Sequence, residues 1–264
     1  GDALNLAKLL CGSEGTLAVV TEVELALEPV PETKAVALLC YDDLVAAMRD
    51  VESIIEHDPA AVELVDEVLL DLARDTPEFA DVVDLLPEGA SDVLLVEFYA
   101  EDDAAGERAV AELVADRVPA ATTVGVPGGD AVATGDERRA VAALEAHDDD
   151  ERARFWKLRK SGLPILLSRT TDAKHASFIE DVAIPPEHLP EYVEAFQAIL
   201  DEHDTFASFY AHAGPGVLHV RPLVNTKTVD GVGTMRQIAD AVTDLVVEYG
   251  GSVSGEHGDG RART

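Results

Sequence analysis

The sequence lacks the features that direct a chain into a membrane or along a secretory route. No apolar run approaches the roughly 20 residues that a transmembrane helix needs. Two cysteines, Cys11 and Cys40, are too few for a disulfide scaffold and suit a reducing interior. The chain begins Gly1-Asp2-Ala3, without Met or a basic region, so we expect no signal peptide and a sequence that belongs to a longer protein. We therefore expect a cytoplasmic location and no transmembrane segment.

Basic residues are also scarce. The chain has 20 Lys+Arg, of which six are Lys, against 52 Asp+Glu, and its net charge is −32. Such a charge repels nucleic acid and anionic lipid, so both partner classes are disfavoured. High acidity is also typical of disorder, but a hydrophobic fraction of 47% predicts a packed core. We expect a halophilic protein, because concentrated salt screens the repulsion between acidic surface groups.

The hydrophobic pattern switches repeatedly between the strand period and the helix period. An alternating stretch over 17–28 predicts a first strand, and the prolines that follow it indicate a domain boundary near residue 30. The next predicted elements are strands over 34–41, 61–65, 92–100 and about 119–126, and helices over 42–57, about 66–74 and 101–116.

A second series of elements follows a linker at 128–130 and a long polar helix predicted at about 135–160. It consists of strands over 176–184, 205–211, 217–223 and 251–254, and helices over 187–202 and 231–249. The order of elements repeats, although the residues do not. We therefore expect an α+β fold of two ferredoxin-like β-α-β-β-α-β halves, with antiparallel sheet and helices.

Three segments differ from ordinary core or surface. The first is Gly12-Ser13-Glu14-Gly15-Thr16, whose glycines and hydroxyls are able to hold a phosphate or to form a plain turn. The second is 210–221, in which a Gly-Pro-Gly turn separates His212 from His219. Arg221 lies two residues beyond His219 and faces the same way on a strand, so two imidazoles and a guanidinium converge unless the histidines are only structural.

The third segment is Ser254-Gly255-Glu256-His257-Gly258-Asp259-Gly260. Its glycines allow close approach of a flat ligand or a metal, and neighbouring Glu and His side chains usually diverge. One of the pair is then free to ligate a metal while the other transfers a proton. A solvated turn is the alternative.

Together these segments resemble the FAD-linked oxidase family of the vanillyl-alcohol-oxidase-like superfamily. The resemblance extends over Gly12–Thr16, the Ala-Val-Glu-Leu-Val-Asp motif at 61–66, Trp156–Arg159, His212–His219 and Ser254–Gly260. Among its members, the chain is most similar to D-lactate and D-2-hydroxyglutarate dehydrogenases of the type fused to an iron–sulfur module.

The resemblance implies a role for individual residues. It implies metal ligands at His212, His219 and Glu256, and a base that takes the substrate hydroxyl proton at His257. It implies flavin contacts at Gly12, Ser13, Gly15 and Thr16, and substrate carboxylate contacts at Arg159 and Lys174. We add Arg221 as a substrate contact, at a position where many relatives carry asparagine.

The resemblance also implies a division of the chain. Residues 1–30 correspond to the C-terminal end of the FAD-binding domain, and residues 31–264 to the C-terminal substrate cap domain. The parent protein would use FAD and a divalent metal, zinc or manganese, to oxidise a D-2-hydroxy acid of the lactate, 2-hydroxyglutarate or glycolate class. The isolated chain would be inactive, and any iron–sulfur clusters would lie outside it.

The implied partners are the hydroxy acid, the FAD-binding domain of the parent chain and an electron acceptor, through which the protein could lie peripherally at a membrane. Two other interpretations remain open. One is a ferredoxin-like module that binds a small ligand or a metal without redox chemistry. The other is an aldehyde-lactone or glycolate oxidase of the same superfamily.

Overall fold

The computed structural model describes residues 4–13, 15–118, 140–146, 148–258 and 260. Among them, the strands are β1 (Thr33–Tyr41), β2 (Ala61–Val65), β3 (Asp92–Ala100), β4 (Ala142–Ala146), β5 (Lys174–His175), β6 (Val182–Ala183), β7 (Ala207–His212) and β8 (Val217–Val224). The helices are α1 (Leu6–Cys11), α2 (Leu44–Ile55), α3 (Glu67–Arg74), α4 (Ala80–Val83), α5 (Asp103–Arg117), α6 (Asp149–Lys160), α7 (Gly162–Leu167), α8 (Leu189–Glu202) and α9 (Val229–Glu248). None of these helices combines the length and apolar character needed to span a bilayer.

The strands form one antiparallel sheet in the order β4-β1-β3-β2-β7-β8-β5, and β6 also pairs with β8. The first four strands, with α2 and α5 between them, have the ferredoxin-like order. The second half repeats that order with β6, α8, β7, β8 and α9, and ends at a bridge between Ser252 and Ala183. The two halves meet where β2 pairs with β7, with Glu63 opposite His212. The expected α+β fold of two ferredoxin-like halves is confirmed.

One face of the sheet is covered along both halves by α2, α5, α8 and α9. Its core includes the fully buried Leu64 and Leu94 of the sheet and Phe196 of α8. The cap of α2 illustrates the local cause, since the Asp43 side chain accepts the peptide N–H of Ala46 where the helix begins. Burial of each large apolar side chain contributes about 1.5–3 kcal/mol, so this face holds the two halves together.

The other face of the sheet is covered only over the first half. There α3, α4, α6 and α7 pack on a second apolar cluster that includes Leu38, Leu95, Leu69 and Phe155. Over the second half, the same face carries charged and imidazole side chains instead. The candidate site lies on this part of the sheet.

The region before residue 30 differs from the expectation. Residues 18–30 form no strand, and Val19 and Leu27 are 88% and 86% exposed. An alternating, β-rich segment needs a neighbouring strand to pair with, and no described strand lies beside it. The predicted strand over 17–28 is therefore wrong for this structure.

The long helix predicted at about 135–160 is also wrong over 142–146, and its residues 135–139 lie outside the described residues. Residues 142–146, Ala-Ala-Leu-Glu-Ala, form β4 and pair with β1 from Val36 to Cys40. These residues favour a helix by propensity, but pairing at the edge of a sheet overrides it. The helix α6 begins at Asp149, capped by the side chain of Asp148. The predicted strand near 119–126 and the linker at 128–130 lie outside the described residues.

Candidate active site

Strands β7 and β8 present the two predicted histidines on the same face of the sheet. Tyr210 lies opposite His219 and Ser208 opposite Arg221 in their register. The rings of His212 and His219 are 5.1 Å apart between centroids. The turn between the strands requires glycine at Gly216, because φ is +78° and a Cβ there would lie 1.9 Å from the carbonyl oxygen of Ile184.

A bulge beside β8 delivers two acidic residues to this face. The predicted strand over 176–184 is only partly formed, since β5 and β6 pair with β8 at its two ends. Between these pairs, the six residues 176–181 lie opposite the four residues 219–222. The two extra residues form a bulge, a feature that redirects side chains next to active sites. Glu180 and Asp181 are the last two residues of the six-residue segment, directly before β6.

Asp181 holds the loop that carries Glu256 and His257. The carboxylate, which is 0% exposed, accepts the peptide N–H of Glu256 at 3.1 Å and that of His257 at 2.8 Å. It also accepts the hydroxyl of Ser254 at 3.0 Å. The main chain adds a bond from the Gly255 N–H to the Asp181 carbonyl at 2.6 Å. Residues 254–257 are thereby fixed against the bulge.

The Nε2 atoms of three histidines face one carboxylate oxygen. Oε1 of Glu256 lies 3.4 Å from Nε2 of His212, 3.4 Å from Nε2 of His219 and 3.0 Å from Nε2 of His257. The His257 ring stacks on that of His219 at 5.1 Å. Imidazole nitrogen and carboxylate oxygen are the donor types that zinc and manganese accept, so this arrangement can bind a divalent cation or exchange a proton.

The opposite edges of the rings face two inner carboxylates. Nδ1 of His212 lies 2.8 Å from Glu63, and Nδ1 of His257 lies 3.3 Å from Glu180. Nδ1 of His219 lies 3.6 Å from Glu180. The hydrogen bond with Glu63 raises the pKa of His212, against the opposing effect of burial. Burial alone would raise the pKa of Glu180, but hydrogen bonding with His219 and the charge of Arg221 hold it at about 2.

Two buried guanidinium groups border the histidines, and each is paired with a carboxylate. Arg159 on α6 places Nη2 2.8 Å from Oε2 of Glu63, a charge contact without hydrogen-bond geometry. Its Nε and Nη2 are both buried with no hydrogen-bond partner among the described residues. Arg221 donates from Nε to the Tyr210 hydroxyl at 2.8 Å, and its Nη2 lies 3.3 Å from Glu180. Both guanidinium groups also lie over the Tyr210 ring, at 5.2 and 5.7 Å.

The tightest group of potential metal ligands differs in part from the predicted one. Ligand atoms of Asp181, His219, Glu256 and His257 lie within 4.8 Å of one another. His219 and Glu256 were predicted as ligands, and His257 was predicted as the base. His212 contacts Glu256 from outside this four-residue group. The donor set of the site is thus suited to a metal, with two alternative sets of ligands.

Lys174 lies apart from the cluster within the described part of the chain. It is opposite Val224 in the register of β5 with β8, and Val224 packs in the core of the helix-covered face. Its exposed ammonium group binds the carbonyl oxygen of Arg169. A role for Lys174 in holding substrate stays a prediction.

The predicted flavin residues lie in an exposed turn after α1. Gly15 has φ +76°, which favours glycine. The peptide N–H groups of Gly12, Ser13 and Thr16 donate to carbonyls of the same segment, and both hydroxyls do the same. These bonds hold the turn together, and the role of Gly12, Ser13, Gly15 and Thr16 as flavin contacts stays a prediction.

Sequence reasoning assigned no role to Glu63, Glu180, Asp181 or Tyr210. A signal was available for the acids, because Glu63 interrupts the apolar residues of β2 and the pair at 180–181 stands between Ile179 and Val182. Charged residues inside a short apolar strand need partners once they are buried. Their partners here are the histidines, the arginines and the 254–257 loop.

Comparison with known proteins places this geometry in a family. The model of the family described as FAD linked oxidases, C-terminal domain, matches residues 30–264. The chain is 33% identical over 260 residues to D-2-hydroxyglutarate dehydrogenase from Pantoea ananatis, covering 97% of this chain and 24% of that protein. It is 28% identical over 261 residues to glycolate oxidase subunit GlcD from Bacillus subtilis, covering 98% of this chain and 50% of that protein. The chain thus spans between a quarter and a half of the length of these relatives.

Solved structures support the fold. A 4-ethylphenol oxidase from Gulosibacter chungangensis superposes with a TM-score of 0.52 at 13% identity, over 85% of this chain and 46% of that one. An alkyldihydroxyacetonephosphate synthase gives a TM-score of 0.52 at 13% identity, over 96% of this chain and 46% of that one. At this identity the likeness concerns the fold alone.

Proposed function

Because this chain belongs to the family of FAD-linked oxidase C-terminal domains, we propose that the protein carrying it oxidises a D-2-hydroxy acid to the 2-oxo acid. The substrate class is that of lactate, 2-hydroxyglutarate or glycolate, in keeping with the names of its relatives. The observation that carries the proposal is the convergence of three imidazole Nε2 atoms on Glu256, beside two buried guanidinium groups. Such a reaction needs a base for the hydroxyl proton and a cation for the carboxylate.

The base in this proposal is His257. Its side chain is 42% exposed, so substrate can reach it, and its Nδ1 is held by Glu180. A neutral imidazole accepts a proton near pH 7, and Nε2 is the atom that faces the centre of the cluster. Bound FAD would accept the hydride. The proton goes to His257, so the substrate loses two electrons and two hydrogens in total.

Arg159 is the proposed carboxylate contact from this chain. Its Nε and Nη2 lack a hydrogen-bond partner among the described residues, so the guanidinium group has donors left for a carboxylate oxygen when binding of the substrate opens the site to it. Arg221 has a weaker claim, because its Nε already donates to Tyr210 and its Nη2 already contacts Glu180. We retain Arg221 and Lys174 as proposed contacts that substitution must test.

The metal ligands we propose are His212, His219 and Glu256, with zinc or manganese as the ion. The tighter group that includes Asp181 and His257 is the alternative. We favour the first set because the Asp181 carboxylate is occupied by two peptide N–H groups and a hydroxyl. A ligated His257 would also be unable to take the substrate proton. A metal bound here would lower the pKa of the substrate hydroxyl.

In this proposal, residues 1–30 are the end of a FAD-binding domain and residues 31–264 the substrate cap. The exposed leucines and valines of residues 4–30, among them Leu4 at 77% and Val30 at 90%, suit burial against such a domain. The partners are therefore that domain, the hydroxy acid and an electron acceptor. The isolated chain is inactive, and any iron–sulfur cluster lies outside it.

Substitution in the full-length protein tests the roles. His257→Ala should lower turnover by about 10²- to 10⁴-fold and leave metal content unchanged. His212→Ala should lower metal content and turnover together, and full metal content in this variant would instead favour the alternative group that includes Asp181. His203→Ala, at the C-terminal end of α8, is the matched control. Normal turnover in His257→Ala would exclude His257 as the base. No turnover in the full-length wild type would favour a binding module without redox chemistry.

A further inference from the structure

Glu63 lies between a predicted metal ligand and a predicted substrate contact. It is 6% exposed and stands on β2, opposite His212 of β7. Its Oε1 and Oε2 lie 2.8 and 2.9 Å from Nδ1 of His212. Its Oε2 also lies 2.8 Å from Nη2 of Arg159, which comes from α6. One carboxylate thus connects a strand of the second half and a helix of the first.

These contacts determine the orientation of the His212 ring and which of its nitrogen atoms carries the proton. A carboxylate only accepts hydrogen bonds, so Nδ1 of His212 must carry the proton. In the neutral ring, Nε2 then keeps its lone pair and faces Glu256 at 3.4 Å. Histidines that ligate metals generally donate their other ring N–H to such a group.

We propose that Glu63 is a positioning residue that sets the tautomer of His212 and holds the Arg159 guanidinium in register with it. The inference rests on the proposed function, in which His212 ligates a metal and Arg159 holds the substrate. It goes beyond that function by assigning a role to a residue that touches neither ligand.

The isosteric variant Glu63→Gln inverts the hydrogen bonding. The positively charged Nη2 of Arg159 lies 2.8 Å from the Oε2 position, so this position favours the amide oxygen over the amide N–H group. The amide nitrogen then occupies the Oε1 position and donates to Nδ1 of His212. A proton on Nδ1 would face the amide N–H group at 2.8 Å as well as the amide oxygen at 2.9 Å, so we expect the ring proton to shift to Nε2, where it blocks metal binding. We expect nitrogen NMR of the neutral His212 ring to report a proton on Nδ1 in the wild type and on Nε2 in Glu63→Gln.

A second readout is the affinity of the protein for Zn²⁺ or Mn²⁺ alone, measured by calorimetry. Loss of the group that orients a ligand typically costs about 10- to 100-fold in metal affinity, and we expect a loss of that size in Glu63→Gln. Glu97→Gln is the matched control. Glu97 is 4% exposed on the neighbouring β3 and also holds α6, through the Trp156 N–H at 2.6 Å. In Glu97→Gln, the His212 tautomer and the metal affinity should stay as they are in the wild type.

The outcomes separate this inference from the proposed function. An unchanged His212 tautomer in Glu63→Gln would overturn the inference, whether or not metal binds. An equal change in Glu97→Gln would also overturn it, because the effect would then reflect displacement of α6. If the wild type binds no metal while the tautomer still inverts, the metal assignment fails and the positioning role stands.

Discussion

The two halves of the molecule share a topology but differ in what covers one face of the sheet. In the first half, four helices bury an apolar surface that includes Leu95 and Leu38. In the second half, the same face carries His219, Arg221 and the bulge at 180–181. The shared face with α2, α5, α8 and α9 provides the stability of both halves. Because one face of the sheet already provides an apolar core for both halves, the other face needs helices in only one of them. In the second half it can therefore hold the polar side chains of the candidate site.

A pair of aspartates makes the same comparison at the level of single residues. Asp66 accepts the peptide N–H of Phe209 at 2.6 Å and that of Leu69 at 3.0 Å, and it anchors α3 to the sheet. Asp181 accepts peptide N–H groups in the same way, but it anchors the loop of Glu256 and His257. Asp66 therefore stabilises the helix-covered part of the sheet, and Asp181 stabilises the loop of the candidate site.

The largest effect on stability should come from the part of the sheet that α3, α4, α6 and α7 cover in the first half. Leu95→Ala removes a side chain that is 1% exposed, and it should lower the free energy of unfolding by about 2–5 kcal/mol. His219→Ala, on the face that no described helix covers in the second half, should lower the free energy of unfolding by clearly less. The reason is that the removed side chain is polar and belongs to a cluster with few apolar contacts. Denaturant unfolding measures both. Equal losses in the two variants would contradict the division between a structural half and a chemical half.

The next effect concerns the loop that Asp181 holds. Asp181→Asn places an amide N–H group against peptide N–H groups, and each buried donor left unpaired costs about 1–3 kcal/mol. We expect faster hydrogen exchange at the amides of Glu256 and His257, with global stability changed less. Asp66→Asn is the matched variant, and it should speed exchange at Phe209 and Leu69 instead. Loss of protection across the whole sheet in both variants would remove the contrast.

Asp66 should also give the first half a pH dependence. Burial raises the pKa of Asp66 to about 7 from an ordinary 3.8, despite its hydrogen bonds from Phe209 and Leu69. Between about pH 4 and 7 the folded protein holds a proton that the unfolded chain has released. The free energy of unfolding should therefore decrease as pH rises through this window. Asp66→Asn should flatten that slope, and a slope unchanged by the substitution would exclude Asp66 as its source.

The smallest difference between the halves should be seen with salt. The net charge of −32 is spread over the chain, so screening should stabilise both halves together. We expect the melting temperature to rise with KCl into the molar range, and to rise equally in wild type and Leu95→Ala. The halophilic character stays a prediction until this is measured. A flat or falling melting temperature would count against it.

Much of the fold could be predicted because its strands and helices have clear periods. The strands at 61–65 and 92–100 match the structure residue for residue. The strand β4 could not be predicted, because alanine and leucine favour a helix and only the edge of β1 makes them a strand. The stretch over 17–28 has a strand pattern but no described partner strand, and a pattern alone does not reveal whether a partner exists.

The site was partly predictable for a different reason. Glycines around His212, His219 and Glu256 mark unusual backbone in the sequence itself. The bulge that brings Glu180 to the histidines has no such mark, since it depends on a two-residue offset between β5 and β6 along β8. Glu63 likewise acquires its role only when β2 pairs with β7. Contacts that arise from pairing between distant strands require the structure.

We propose that a D-2-hydroxy acid is oxidised at the face of the second half that no described helix covers. Anaerobic reduction of the flavin in the full-length protein tests it most directly, with D-2-hydroxyglutarate, D-lactate and glycolate as candidate substrates. We predict that at least one acid reduces the flavin of the wild type, and that His257→Ala slows this reduction by about 10²- to 10⁴-fold. Reduction at the same rate in both proteins, or no reduction by any of the three acids, would contradict the account.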